Sequence, residues 1–127
     1  MVLILQKMLE FLTHPYFDKE ATAIQRRFPA FNQGLEAFKK ICEVHFDPIF
    51  PKQVIAPGKL HRIKGLDNYN IWKIELAVKG LRPNQFPRVW FGIRGTVIVL
   101  LCVKSHIDNY DNNKADALAE NLITDIF

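Results

Sequence analysis

Lys73, Glu75, Arg88, Lys104 and His106 all fall within the most apolar part of the chain, "IWKIELAVKGLRPNQFPRVWFGIRGTVIVLLCVKSH", which spans residues 71–106. A carboxylate can take a proton, and an imidazole exchanges one near neutrality. Guanidinium and ammonium groups stabilise negative charge that develops on an oxygen during reaction. The stretch holds seven charged residues, and Glu75 is the one acid among them; Lys79, Arg82 and Arg94 complete the set. A run with the composition of a sheet interior thus contains the side chains of acid and base chemistry at an anionic centre.

Charge is unevenly distributed along the whole chain. Residues 1–51 hold six basic and six acidic side chains. Residues 52–106 hold ten basic ones, among them Lys64, Lys79, Arg82 and Arg94, against only Asp67 and Glu75. Residues 107–127 set Lys114 against Asp108, Asp111, Asp116, Glu120 and Asp125. A basic middle suits a polyanion, because each phosphate neutralised releases condensed counterions.

Other chemistries find less support. Cys42 and Cys102 sit among apolar neighbours and form no CxxC, which reads as buried free thiols. His14, His45 and His61 are too scattered to form a metal site. No Gly-x-Ser-x-Gly occurs to present a nucleophilic serine. No cofactor and no metal are therefore expected. The opening "MVLIL" is too short to span a membrane and is soon interrupted by Gln6, Lys7 and Glu10, so the expected location is the cytoplasm.

The elements that must position these residues follow from periodicity. At 127 residues the chain reads as one domain. Residues 2–12 alternate weakly as an opening strand. Phe17, Ala21, Ile24 and Phe28 mark a helix from Pro15 that Pro29 stops. Phe31, Leu35, Phe38 and Cys42 mark a second, and the two form a hairpin. The segment 47–58, "DPIFPKQVIAPG", is an extended connector by its prolines. Strands follow at about 70–79, 86–94 and 96–106, with a tight turn at Arg94-Gly95. A last helix, capped by Asn112 or Asn113, carries an apolar stripe of Ala115, Leu118, Leu122 and Ile126. The expected fold is α+β: a small antiparallel twisted sheet of about four strands, with the N-terminal helical hairpin on one face and a C-terminal helix.

Strand parity then sorts the charges. Trp72, Ile74, Leu76 and Val78, with Val89, Phe91 and Ile93 and with Val97, Val99, Leu101 and Val103, form apolar faces to set against the helices. The opposite face displays Lys73, Glu75, Arg88, Trp90, Lys104 and His106 as an open charged platform.

Three segments in this order, "HPYFDKEATAIQRRFPAFNQGLEAFKKI", "KLHRIKGLDNYNIWKIELAVKG" and "FPRVWFGIRGTVIVLLCVKSHIDNY", resemble the RelE/ParE superfamily of bacterial type II toxins over roughly residues 15–126. The resemblance implies a RelE-like toxin that enters the ribosomal A site and cleaves mRNA without a metal, held inactive by a cognate antitoxin protein. Carried over by position, Lys73 matches a catalytic or phosphate-contacting lysine. Glu75 falls where some members have a second lysine and is a candidate base. Arg88 matches an arginine placed to stabilise the phosphate. Lys104 and His106 stand at the strand end where the family places an arginine or histidine, and Tyr110 near its tyrosine. Lys64, Lys79, Arg82, Trp90, Arg94 and Lys104 are the expected substrate contacts. Two other functions stay open: a ParE-like inhibitor of DNA gyrase, and a non-catalytic module that binds RNA or protein on the same fold.

Overall fold

The computed structural model describes residues 8–65 and 68–127. Its elements are β1 (Glu10–Thr13), α1 (Pro15–Arg27), α2 (Phe31–His45), β2 (Leu60–Gly65), β3 (Asn70–Glu75), β4 (Arg88–Arg94), β5 (Val97–Lys104) and α3 (Asn112–Ile123). The α+β expectation holds in outline. The sheet, however, has five strands in the order β1-β5-β4-β3-β2 and is mixed, because β1 runs parallel to β5. Of the opening strand expected over 2–12, residues 2–7 lie outside the described residues.

The strand absent from the sequence reading is β2. Leu60 and Ile63 are its only large apolar residues, and a bulge between Arg62 and Lys64 breaks the two-residue repeat by which a strand is recognised. As an edge strand it tolerates exposed His61, Arg62 and Lys64, charges that also discourage pairing with other chains.

Both helices of the hairpin form where apolar residues recur at helical spacing. Pro15 supplies a favourable first turn, and the His14 Nδ1 accepts the Tyr16 N–H at 2.9 Å to cap α1. Phe17, Ile24, Phe31, Leu35, Phe38 and Cys42 are buried against Leu76, Val78, Val89 and Phe91. Gly34 weakens α2 in principle, yet any Cβ there would stand 2.5 Å from the Ala77 carbonyl oxygen, so glycine lets the helix meet the chain after β3.

The connector after α2 is pinned by His45, whose Nδ1 accepts the N–H groups of Val54 and Ile55, each at 3.2 Å. Burial holds this imidazole below its ordinary range. Protonation would turn the Nδ1 acceptor into a donor. Because the unfolded chain then binds the proton more readily, stability conferred at this site is present above the unfolded value of about 6.5 and is lost as pH falls through the lower folded value. Urea unfolding midpoints should drop on acidification through that window. His45→Asn, which keeps an acceptor and removes the titration, should flatten the drop; an unchanged slope would refute the role of His45.

The second face of the sheet is covered too. Ile71, Trp90, Val99, Leu101 and Cys102 pack against Ala115, Ala119, Leu122 and Ile123 of α3. The helix lies close enough that a Cβ on Gly92 would come within 2.4 Å of the Ile123 Cδ1. Asp111, not Asn112 or Asn113, caps α3, its carboxylate accepting the Lys114 N–H. Cys42 and Cys102 are free and buried, and burial pushes both thiols up to about 12. Among the described residues no helix is long and apolar enough to cross a membrane.

Strand parity holds for β3 and β4 but not for β5. Trp90 pairs with Cys102 and Phe91 with Leu100, which leaves Leu101 as an extra residue. That bulge inverts the alternation before it: Ile98 and Leu100 face the hairpin while Val99 and Leu101 face α3, contrary to expectation. Beyond it, Val103 returns to the hairpin side.

Candidate functional site

The end of the sheet where β3 stops and β4 begins collects the reactive side chains. Glu75 and Arg88 face each other across the β3–β4 pair, and Arg88 faces Lys104 across β4–β5. Beyond β5 the chain enters a 3-10 turn, His106–Asp108, whose first N–H groups are steadied when the Ser105 hydroxyl accepts the Ile107 N–H. Asn109 then adopts a left-handed conformation at φ 55°, which asparagine tolerates, and reverses the chain so that Tyr110 returns over the sheet.

One Arg88 Nη donates to Glu75 Oε1 at 3.2 Å and the other to Asn112 Oδ1 at 3.4 Å. His106 Nε2 lies 3.7 Å from the same Glu75 oxygen. The Tyr110 ring stands edge-on to Trp90, with centroids 5.7 Å apart, and is tilted against His106 at 5.6 Å. Burial raises the Tyr110 phenol above its ordinary range, so it stays protonated and available as a donor. Arg88, His106, Asn109, Tyr110 and Asn112 line an open cavity of about 240 Å³.

Arg88 Nε, His106 Nε2 and the Tyr110 hydroxyl are sealed from solvent without a hydrogen-bond partner among the described residues. Each such group costs about 1–3 kcal/mol, so three of them on residues that line one cavity are poorly explained by stability. All three can donate a hydrogen bond, the imidazole in the matching tautomer or when protonated. Their arrangement suits an anion or a group that becomes anionic.

Lys73 belongs to the same cluster but is engaged from α3. Its ammonium donates to Asp116 at 3.1 and 3.3 Å and to Asn112 at 3.2 Å. Asp116 also accepts the Trp90 indole N–H at 2.8 Å. The cluster therefore holds two cations and two carboxylates, not the lone acid expected of an open platform. Trp90 is 0% exposed, contrary to its expected place on a substrate surface, because Ile71, Gly92 and Val99 give this face an apolar patch that α3 must cover.

The remaining basic residues are dispersed. Lys104 turns toward α1, where its ammonium meets Glu20 and the Tyr16 hydroxyl, and Glu20 also accepts the Val103 N–H at 3.1 Å on the part of β5 that β1 leaves unpaired. Burial works against the charge on Lys104, but those two partners more than offset it. Arg94 lies at the far end of β4, roughly 20 Å along the strand from Arg88, with its guanidinium 4.7 Å from the Phe127 ring centroid. Lys64 is exposed on the edge strand β2, and Lys79 and Arg82 are exposed between β3 and β4.

Asn112 and Asp116 were absent from the sequence reading of the site. Their one advance signal was the acidic balance of residues 107–127 following a basic middle, which foreshadows pairing between the two. Comparison of the chain with models of protein families, with curated proteins and with solved structures found no match.

Proposed function

We propose that the protein is a RelE-like toxin, an endoribonuclease that cuts mRNA on the ribosome without a metal in the cytoplasm and is held in check by a cognate antitoxin protein. The observation that carries this reading is that Arg88, His106 and Tyr110, each with an unpartnered donor, line one cavity while Glu75 contacts the first two.

The reaction that suits these groups is transfer of an RNA phosphodiester to its own 2′-oxygen. Glu75 accepts the 2′-hydroxyl proton as the 2′-oxygen attacks phosphorus. Arg88 exchanges its contact with Glu75 for a phosphate oxygen, freeing the carboxylate and placing a planar, permanent cation beside the charge that builds on the pentavalent centre. Protonated His106 gives its proton to the departing 5′-oxygen. The P–O5′ bond breaks as the P–O2′ bond forms, leaving a 2′,3′-cyclic phosphate and a 5′-hydroxyl. Tyr110 donates a hydrogen bond to the phosphate and backs the imidazole. Lys73 lies one alternation from Glu75 on β3, and its pairing with Asp116 makes it a positioning group that anchors α3 beside the site.

The test is to add purified protein to a cell-free translation reaction and map mRNA ends. Cuts bearing cyclic phosphate, and dependent on ribosomes, are the expected result. Intact mRNA with stalled gyrase would overturn the reading in favour of gyrase inhibition, and neither effect would leave a non-catalytic binding module.

A further inference from the structure

The turn that carries His106 lines two cavities. Ser105 and Asp108 line an open one of about 300 Å³ between α1 and the end of β5, while their chain neighbours His106 and Asn109 line the one of about 240 Å³ that also holds Arg88. Tyr110 lines both, so the two cavities adjoin across a single side chain.

Their chemistry differs. The cavity at Arg88 presents unpartnered donors and suits an anion. The other is lined by two carboxylates, Glu20 and Asp108, and two cations, Lys104 and Arg27, paired one with another, so its formal charge sums to zero. Ala23, Ile24 and Val103 supply apolar wall. Such a lining disfavours a second anion and suits a neutral group with apolar faces and a polar edge. The hydrogen-bonding capacity that remains lies mostly at the mouth. Glu20 is spent, one oxygen on the Val103 N–H and the other on Lys104. Arg27 uses one Nη alone to reach both Asp108 oxygens, at 2.7 and 2.8 Å, and its other donors make no side-chain bond among the described residues. Each Asp108 oxygen keeps a further lone pair, and the Ser105 hydroxyl, which accepts the Ile107 N–H, keeps a proton to donate. The Arg27 and Asp108 side chains are 45% and 53% exposed, so parting them costs little.

A nucleobase sets donors beside acceptors along one planar edge, and single-stranded RNA is read through such edges and by stacking on aromatic side chains. We infer that the cavity between α1 and β5 is a base-specificity subsite: it holds the base of the nucleotide whose phosphate occupies the neighbouring cavity, Arg27 and Asp108 reading the base edge and Tyr110 touching both base and phosphate. The paired Glu20 and Lys104 form its fixed rear wall. The inference rests on the proposed RNA chemistry and adds to it two residues, Arg27 and Asp108, that no reading of the reacting groups includes.

Titration of the isotope-labelled full chain with ribose 5-phosphate and with the four nucleoside 3′- and 5′-monophosphates, followed by amide chemical shifts, tests it. At least one nucleotide should bind at least about tenfold more tightly than ribose 5-phosphate, within the usual contribution of a stacked base. It should shift the amides of Ala23, Ile24 and Val103 as well as those of His106 and Asn109, whereas ribose 5-phosphate should shift only the second set. Ala23→Leu keeps a good helix former on α1 and fills the cavity, so it should erase the nucleotide's advantage and leave ribose 5-phosphate binding unchanged. Arg27→Gln and Asp108→Asn should alter which base binds best. Equal affinity for ribose 5-phosphate and every nucleotide, an advantage that survives Ala23→Leu, a base preference untouched by both edge variants, a footprint elsewhere, or no binding would each overturn it. Base-dependent binding without mRNA cleavage would count against the proposed enzyme alone, and cleavage by a chain that gains nothing from the base would count against this subsite alone.

Discussion

Arg88→Ala is expected to lower mRNA cleavage by about 10²–10³, the usual cost of removing a preorganised stabiliser of transition-state charge. His106→Gln should lower it by about 10²–10⁴, since glutamine keeps hydrogen bonding but cannot carry the proton. Neither residue belongs to either apolar core, and their side chains are 17% and 30% exposed, so near-UV circular dichroism and the folded fraction should stay close to wild type. Arg88→Lys keeps the charge without the planar fork, so it should recover only part of the loss. The double variant should fall little below the worse single one, because in the proposed reaction the two groups serve one step. Undiminished cleavage by both single variants in the translation assay would remove them from the mechanism.

Trp90→Ala should destabilise the fold by about 3–5 kcal/mol, the range for deleting a large aromatic ring from a packed core. Trp90 is fully buried between the sheet and α3, and its indole N–H satisfies the carboxylate that also holds Lys73. Trp90→Phe retains most of the apolar contact and should cost about 1–3 kcal/mol by leaving Asp116 short of a donor. Urea unfolding measures both. If the side chain lay on an open face, as strand parity alone leads one to expect, the alanine variant would cost at most about 0.5 kcal/mol, and the lost function would be RNA binding. A small stability change with weakened RNA binding would therefore show that α3 does not close on this face in solution.

How much of the molecule was legible beforehand depended on whether a signal was local. The helices of the hairpin could be read because Phe17, Ile24, Phe31, Leu35, Phe38 and Cys42 repeat at the helical period and all find the same core. That Glu75 and Arg88 share a face followed from alternation along β3 and β4, which stays regular between Lys73 and Glu75 and between Arg88 and Trp90, whereas their pairing is a matter of register and the place of His106 depends on the turn after β5. Parity became misleading where a bulge added one residue at Leu101, because a single insertion exchanges the faces of everything before it and leaves no mark in an unbroken apolar run. β2 was hidden by its own bulge and by charges suited to an edge.

The amino-acid sequence by itself determined the α+β class, the helical hairpin, the buried thiols and the presence of carboxylate, imidazole and cationic side chains within apolar strands and at their ends, since each rests on residue type and short-range spacing. Only the tertiary structure decided that the charged face is covered, that Asp116 and Asn112 hold Lys73 and Arg88, that Lys104 turns away to Glu20, and that Lys64 and Arg94 stand apart. Those outcomes depend on where α3 and α1 come to rest against the sheet. The physical reason is that the face bearing Lys73 and Arg88 also bears Ile71, Trp90, Gly92 and Val99, and the free energy of burying that apolar patch draws α3 over it, bringing residues from 24 to 43 positions away into the site.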